Sequence, residues 1–252
     1  MILVTGHKGL IGDRILKELG GIGVDRGDKI PDNNYEMIIH CGSNTFVRDC
    51  LSNPDLAKEN MDRAYEIMEL ARKNKCPIIM FSSSRTEHEF KNPYVLSKKF
   101  LEDIVLTYHE NYSVDYLIIR PETIWGYCKN NDRVVNKWIE NALTNKDIEI
   151  YGDEDKELSP LYIDEFIKIF REIYKTKNKS LSISGEIRKA KDITQEIINF
   201  FGSNSKVVFK PAEEFQPQRC FKADIVGNVN FPQELNKYYE LWRMVNRKNT
   251  LR

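Results

Sequence analysis

Little in this sequence pulls toward one sign of charge, a membrane or a metal. Thirty-eight lysines and arginines balance 38 aspartates and glutamates, so no global field favours nucleic acid or an anionic membrane surface. No apolar run approaches spanning length, and Met1 leads straight into an apolar strand. We therefore expect neither a membrane segment nor a leader, and a cytoplasmic location. Cys41, Cys50, Cys76, Cys128 and Cys220 are scattered, odd in number and without C-x-x-C spacing. That spacing excludes a disulfide framework, predicts reduced thiols and offers no metal site. Repeats, linkers and low-complexity tracts are also missing. At 252 residues the chain suits one moderate domain, or one domain with a small appended lobe.

What is present begins at residue 2. Ile2-Leu3-Val4 reads as a buried parallel strand, followed by Thr5-Gly6-His7-Lys8-Gly9-Leu10-Ile11-Gly12. A helix then places Ile11, Ile15, Leu16 and Leu19 on one face. Glycines at a strand–helix junction permit a tight turn and let a pyrophosphate approach the bare N–H groups of the helix N-terminus. A second short strand ends at Asp25, where an acid would accept hydrogen bonds from an adenosine ribose. Asp28 is a rival for that role, and Arg26 would instead favour a 2′-phosphate. Both NAD and NADP stay open.

Further on, Met37–His40 reads as a strand ending in a packed histidine, with Cys41 as a small core residue. A helix over 56–73 follows, its apolar side traced by Met61, Tyr65, Met68 and Ala71. Pro77–Phe81 forms a strand that delivers Ser82-Ser83-Ser84. Tyr94 and Lys98 then open another helix, and a spacing of four puts them on one face. An ammonium beside the phenol, together with a nicotinamide cation, would favour the phenolate. A serine hydroxyl could hold the reacting oxygen while the tyrosine takes its proton.

The order T-G-x-x-G-x-x-G, strand-end serine, Y-x-x-x-K resembles that of extended short-chain dehydrogenases/reductases, and within them the NAD-dependent epimerase/dehydratase group. The resemblance implies Ser84 as catalytic serine, Tyr94 as acid/base and Lys98 as the residue that binds the nicotinamide ribose and tunes the tyrosine. It implies cofactor contacts from Gly6, Gly9, Leu10, Ile11, Gly12, Asp25, Arg26, Cys41, Gly42, Ser43, Asn60, Tyr94, Lys98 and Pro121. Ile118-Ile119-Arg120-Pro121 is similar to the family's strand and "R-P", and Glu122–Tyr127 to its "x-x-x-Y-G", with Trp125 replacing tyrosine.

Several features depart from that pattern. A strand–helix unit that relatives carry is missing or reduced to Gly27–Asn34. Arg85 and Thr86 stand where sugar dehydratases place an acid pair, so dehydration is disfavoured. The loop to Tyr94 is short, and Arg85, His88 or Phe90 would rebuild a wall of the substrate cleft. Leu158 replaces the arginine that grips a substrate diphosphate, leaving Lys137, Lys156 or Arg219 to substitute. Ser159–Tyr162 is similar to a stretch of 4-keto sugar reductases.

The expected fold is an α/β doubly wound parallel sheet of Rossmann type with a small C-terminal substrate lobe. We expect residues 1–175 to form the dinucleotide-binding domain, with about 122–160 contributing to the lobe, and 176–252 to supply the remaining lobe segments. The resemblance implies an NAD(P)-dependent enzyme acting on a hydroxyl or keto group of a nucleotide-activated sugar, by epimerisation through transient oxidation. A 4-keto sugar reductase is one alternative, and a catalytically silent dinucleotide-binding scaffold is another. Arg85, Thr86 and Arg219 are the candidate substrate contacts. A homodimer through the helices near 56–73 and 94–109 is expected.

Overall fold

The computed structural model describes residues 1–89, 91–128, 133–212 and 217–250, with backbone only for 247–250. Phe90, named above, lies outside the described residues. In chain order the elements are β1 (Ile2–Thr5), α1 (Leu10–Leu19), β2 (Ile22–Val24), β3 (Met37–His40), α2 (Val47–Ser52), α3 (Asp55–Asn74), β4 (Ile78–Phe81), α4 (Pro93–Tyr112) and β5 (Tyr116–Pro121). They continue with β6 (Thr123–Trp125), α5 (Val134–Leu143), β7 (Ile148–Tyr151), β8 (Glu157–Leu158), β9 (Pro160–Tyr162), α6 (Ile163–Ile173) and β10 (Lys179–Ser184). The last are β11 (Arg188–Lys189), α7 (Ala190–Phe201), β12 (Val207–Lys210), β13 (Ile225–Val226) and α8 (Phe231–Thr250).

These elements form two compact units. The first comprises Met1–Glu122, Ile167–Ile183 and Ala223–Ile225. Its sheet runs β13-β10-β5-β4-β3-β1-β2, and every pairing from β10 to β2 is parallel. Leu3, Val4, Ile38, Ile39, Ile78, Met80, Ile118 and Ile119 are all fully buried, as a sheet covered on both faces requires. The chain leaves β1 for the edge strand β2 and then returns to β3 on the other side. That reversal creates a topological switch point between β1 and β3, where such sheets bind ligands beyond the strand C-termini. Residues 25–36 join β2 to β3 without any helix or strand.

Two local features differ from expectation. The short helix α2 was not anticipated. On α3 the buried side is Ala57, Asn60, Ala64, Ile67, Met68 and Ala71, while Tyr65 is 53 % exposed. Small side chains let α3 lie close against β3 and α4, so the stripe that packs is not the one traced by the largest apolar residues.

The second unit comprises Thr123–Phe166, Ser184–Lys222 and the chain from Val226 on. It holds three two-stranded ladders, β6–β9, β7–β12 and β8–β11. Its core centres on Trp125, which is fully buried. The ring centroids of Tyr162, Phe231 and Tyr238 lie 4.9, 5.2 and 6.3 Å from that indole. Arg219 belongs to this unit, where its guanidinium donates to the carbonyl of Asp155 and lies 4.0 Å from Glu157.

Candidate active site

The glycine turn closes directly on the loop after β3. Gly6 has φ +69°, and a Cβ there would lie 2.6 Å from the backbone nitrogen of Gly42. A Cβ on Gly12 would meet the Gly6 carbonyl oxygen at 2.3 Å. Both positions therefore require glycine. Gly9 occupies the N-cap of α1 and supplies no side-chain cap, so the first N–H groups of Leu10 and Ile11 stay available to an anion.

Thr5 ties this turn to its neighbour. The Gly42 N–H donates to Thr5 Oγ1 at 3.3 Å, and the Thr5 hydroxyl lies 2.7 Å from His40 Nδ1. The Thr5 hydroxyl has one hydrogen and two lone pairs, so it accepts from Gly42 and pairs with His40 Nδ1 in either tautomer of the ring. Burial, with help from the charges of Lys98 and Arg63, lowers the His40 pKa to about 3. The imidazole is a neutral brace between two loops. Burial likewise pushes the half-buried Cys41 thiol well up, so it is no thiolate nucleophile.

Asp25 lies beside the glycine turn. Its carboxylate accepts from the Lys8 N–H at 3.2 Å and the Arg26 N–H at 2.8 Å. The rival Asp28 turns back to accept the Asp25 N–H at 2.8 Å. The Arg26 guanidinium donates to Asn44 Oδ1 and sits 3.9 Å from Glu59. Asn44 is fixed in turn by Asn60. The Asn60 carbonyl accepts the Asn44 N–H at 2.7 Å, and its amide donates to the Asn44 carbonyl at 3.0 Å and to Ser97 Oγ at 3.3 Å. Ser43 Oγ donates to the Asn44 carbonyl at 3.3 Å.

Helix α4 starts at Asn92, whose side chain caps it by accepting the Val95 N–H at 2.9 Å, and Pro93 follows at the first turn. This start buries Tyr94 (5 % exposed) and Lys98 (2 % exposed). The Lys98 ammonium donates to the carbonyl of Phe81 at 2.9 Å and lies 6.0 Å from the Tyr94 ring centre. Phe81 ends β4, and the chain continues through Ser82 and Ser83 into a 3-10 turn over Ser84–Glu87. Ser84 is nine-tenths buried.

Behind Ser84 lies a polar network that sequence reading did not assign. Glu102 accepts two hydrogen bonds from Arg120, at 2.9 and 2.5 Å, one from Ser82 at 2.5 Å and one from Thr86 at 3.1 Å. Thr86 thus turns inward, its single hydroxyl hydrogen shared between Glu102 and the Ser83 carbonyl 2.8 Å away. Arg120 lies 3.5 Å from Glu87, whose pKa burial raises against the pull of that guanidinium. The Ser84 hydroxyl donates to Glu122, the residue after Pro121. One signal pointed to Glu102: Tyr94, Lys98 and Glu102 recur at intervals of four along one face of α4. Arg85 follows Ser84 in the 3-10 turn, and its charge, after burial, helps lower the His88 pKa. Among the described residues there is no group of three or more potential metal ligands, and no helix long and apolar enough to cross a membrane.

The uncapped α1 N-terminus, the glycine positions that admit no Cβ, the acid beside them and the buried lysine together fit a dinucleotide. Comparison with known proteins agrees. A family model described as "NAD dependent epimerase/dehydratase family" matches residues 24–183. A putative UDP-glucose 4-epimerase of Methanocaldococcus jannaschii is 23 % identical over 227 residues, covering 81 % of this chain and 74 % of the relative. A UDP-glucuronate 4-epimerase of Thermodesulfobacterium geofontis is 23 % identical over 189 residues, covering 69 % of this chain but only 54 % of that protein. Among solved structures, UDP-glucuronic acid 4-epimerase from Bacillus cereus, in complex with UDP-glucuronic acid and NAD, superposes with a TM-score of 0.84 at 18 % identity. That match covers 97 % of this chain and 99 % of the other.

Proposed function

This chain belongs to the NAD-dependent epimerase/dehydratase family, and from that premise we propose that it epimerises a nucleotide-activated sugar by transient oxidation of a ring hydroxyl. The observation that carries the reading is the buried Lys98 ammonium, which lies 6.0 Å from the ring centre of the buried Tyr94 and donates to the carbonyl of Phe81, three residues before Ser84.

NAD is the cofactor, and when bound it supplies the acceptor and later the donor of the hydride. Its pyrophosphate would rest on the N-terminus of α1 at Gly9, Leu10 and Ile11, and its adenosine ribose against Asp25. Arg26 is engaged with Asn44 and Glu59, which favours NAD over its 2′-phosphate. Cys41, Gly42, Ser43 and Pro121 line the strand ends where the dinucleotide would cross.

The chain's own residues handle the proton. Tyr94 takes it from the reacting hydroxyl, helped by the positive charge held nearby on Lys98. Ser84 holds the oxygen in line. The sugar then presents its other face, and Tyr94 returns the proton. Arg85 is the proposed substrate contact of the first unit, while Arg219, within the second unit, is held by Asp155 and Glu157. Thr86 is a support, because its hydroxyl is spent on Glu102 and Ser83. We place the expected substrate lobe in the second unit. The chain works as a homodimer through α3 and α4, whose exposed Tyr65, Leu96 and Tyr112 (53, 61 and 54 % exposed) supply apolar surface.

The test is analysis of the purified, denatured protein for released dinucleotide, followed by assay with UDP-glucose, UDP-galactose and their N-acetyl and glucuronate counterparts. Retained NAD and interconversion of one such pair, both absent of added coenzyme, are the expected results. An empty protein that consumes NADH or NADPH from solution would replace epimerase with reductase. Binding of neither dinucleotide would overturn the enzyme reading.

A further inference from the structure

Two cations flank Asp25, the acid set above against the adenosine ribose, and each has a carboxylate partner. The Lys8 ammonium lies 3.8 Å from Asp28. The Arg26 guanidinium lies 3.9 Å from Glu59, which stands near the start of α3. With Asp25 itself, three carboxylates balance these two cations, so this end of the sheet carries no spare positive charge for a 2′-phosphate.

Asn44 fixes the Arg26 side of the arrangement. Its amide nitrogen has two hydrogens, and they go to the Leu56 carbonyl at 2.9 Å and to Glu59 Oε2 at 3.2 Å. Its backbone N–H donates to Asn60 at 2.7 Å. With both amide hydrogens directed onto α3, the side-chain oxygen of Asn44 faces Arg26, whose guanidinium donates to it. Glu59 therefore acts on Arg26 twice, as its countercharge and as the acceptor that turns the Asn44 oxygen toward it. A guanidinium is by nature a good partner for phosphate oxygens. What holds this one back comes from α3, a different element from the strand end that bears Asp25 and Arg26.

We propose that Glu59 is a positioning residue that sets dinucleotide specificity through Arg26, keeping the guanidinium engaged so that NADP gains no cation for its 2′-phosphate. The inference rests on the dinucleotide reading above, with the adenosine ribose at Asp25. Arg26 and Glu59 are 65 and 54 % exposed, so the effect has the size and the salt sensitivity of a surface ion pair.

The experiment is equilibrium dialysis of the protein against NAD and against NADP at defined free concentrations, with bound dinucleotide quantified after denaturation. Glu59→Gln keeps an acceptor for Asn44 and removes the countercharge. It should raise affinity for NADP relative to NAD by about threefold to tenfold at low salt, as expected for release of an exposed ion pair. That gain should shrink as salt is raised toward about 0.5 M. In an Arg26→Gln background the same Glu59→Gln change should give little gain, because no guanidinium remains to meet the phosphate. A gain of the same size in both backgrounds would assign the effect to the general field of the acids and overturn the proposal. A gain indifferent to salt would overturn it too. Protein that binds neither dinucleotide fails the functional reading and takes this inference with it. Tight NAD binding with a ratio unmoved by Glu59→Gln removes the inference alone.

Discussion

Lys98 and Phe81 are joined by a 2.9 Å hydrogen bond from the ammonium to the last carbonyl of β4, and that bond sets helix α4 against the serine-bearing loop. Lys98→Met leaves the buried carbonyl without this donor and removes the positive charge beside Tyr94. We expect kcat to fall by about 10²–10⁴-fold, the range for loss of a positioned proton-transfer group. Lys98→Arg should fail nearly as badly, because a planar guanidinium cannot replace a compact ammonium in an enclosed site. Tyr94→Phe should lose turnover to a similar extent yet retain dinucleotide. Absorbance of the denatured variants separates the two effects.

The glycine turn provides a second test. Gly6→Ala would press a methyl to 2.6 Å from the Gly42 nitrogen at a positive φ, so backbone must move. A destabilisation of about 1–3 kcal/mol is expected from strain of this type, together with loss of retained NAD. Urea denaturation with and without added NAD checks both parts. Unchanged NAD retention would show that the turn does not carry the pyrophosphate.

A third concerns the support beneath Ser84. Glu102→Ala removes the acceptor of two Arg120 hydrogen bonds and those of Ser82 and Thr86. Breaking one partner of a largely buried ion pair typically costs about 3–5 kcal/mol. Replacing both partners, Glu102→Met with Arg120→Met, should recover much of that loss, because no unpaired charge remains. A denaturant midpoint for the double variant below that of Glu102→Ala would contradict this account.

Much of this was legible before any coordinates. The strand, turn and helix at residues 2–19 announce themselves through an apolar run, glycines and a helical repeat in immediate succession. Ser84, Tyr94 and Lys98 are close in sequence, and one strand and one helix suffice to bring them together. The less legible parts depend on packing or on distant partners. Helix α2 has only six residues, too few for a periodicity to register. The buried stripe of α3 is made of alanines that hydrophobic weighting passes over in favour of Tyr65. Glu122 meets Ser84 across 38 residues of sequence, and nothing local to either marks the pairing. In the second unit the strands are two to four residues long, shorter than an alternating pattern needs.

The proposed dimer face gives a fourth prediction. Leu96 points outward from α4, two residues from Tyr94 and Lys98 but on the opposite side, and is 61 % exposed. Leu96→Glu places a charge on the exposed face of α4 near its start. Sedimentation at micromolar concentration should show dimer for the wild type and monomer for the variant, with the unfolding midpoint of the variant lower and concentration-independent. A monomeric wild type would remove the dimer.

The last prediction concerns pH and the second unit. Glu234 is 6 % exposed, and its pKa is raised to about 7, chiefly by burial. The Asn230 N–H, donated to Oε1 at 3.2 Å, and Lys237 oppose that rise, while the carboxylates of Glu165 and Asp164 add to it. Below about pH 4.5 the group is protonated whether the chain is folded or not, and it costs nothing. Between about 4.5 and 7 the folded chain holds a proton that the unfolded chain has released, so stability falls as pH rises. Above 7 the folded chain carries a buried carboxylate, and the loss is complete. One pKa unit corresponds to about 1.4 kcal/mol, and with solvent screening discounted the total should be roughly 2 kcal/mol. Glu234→Gln keeps an acceptor for Asn230 and removes the charge. Urea midpoints should therefore show the variant more stable than wild type at pH 8 and nearly equal to it at pH 4.5. An advantage of the same size at both pH values would assign the gain to packing and not to the proton.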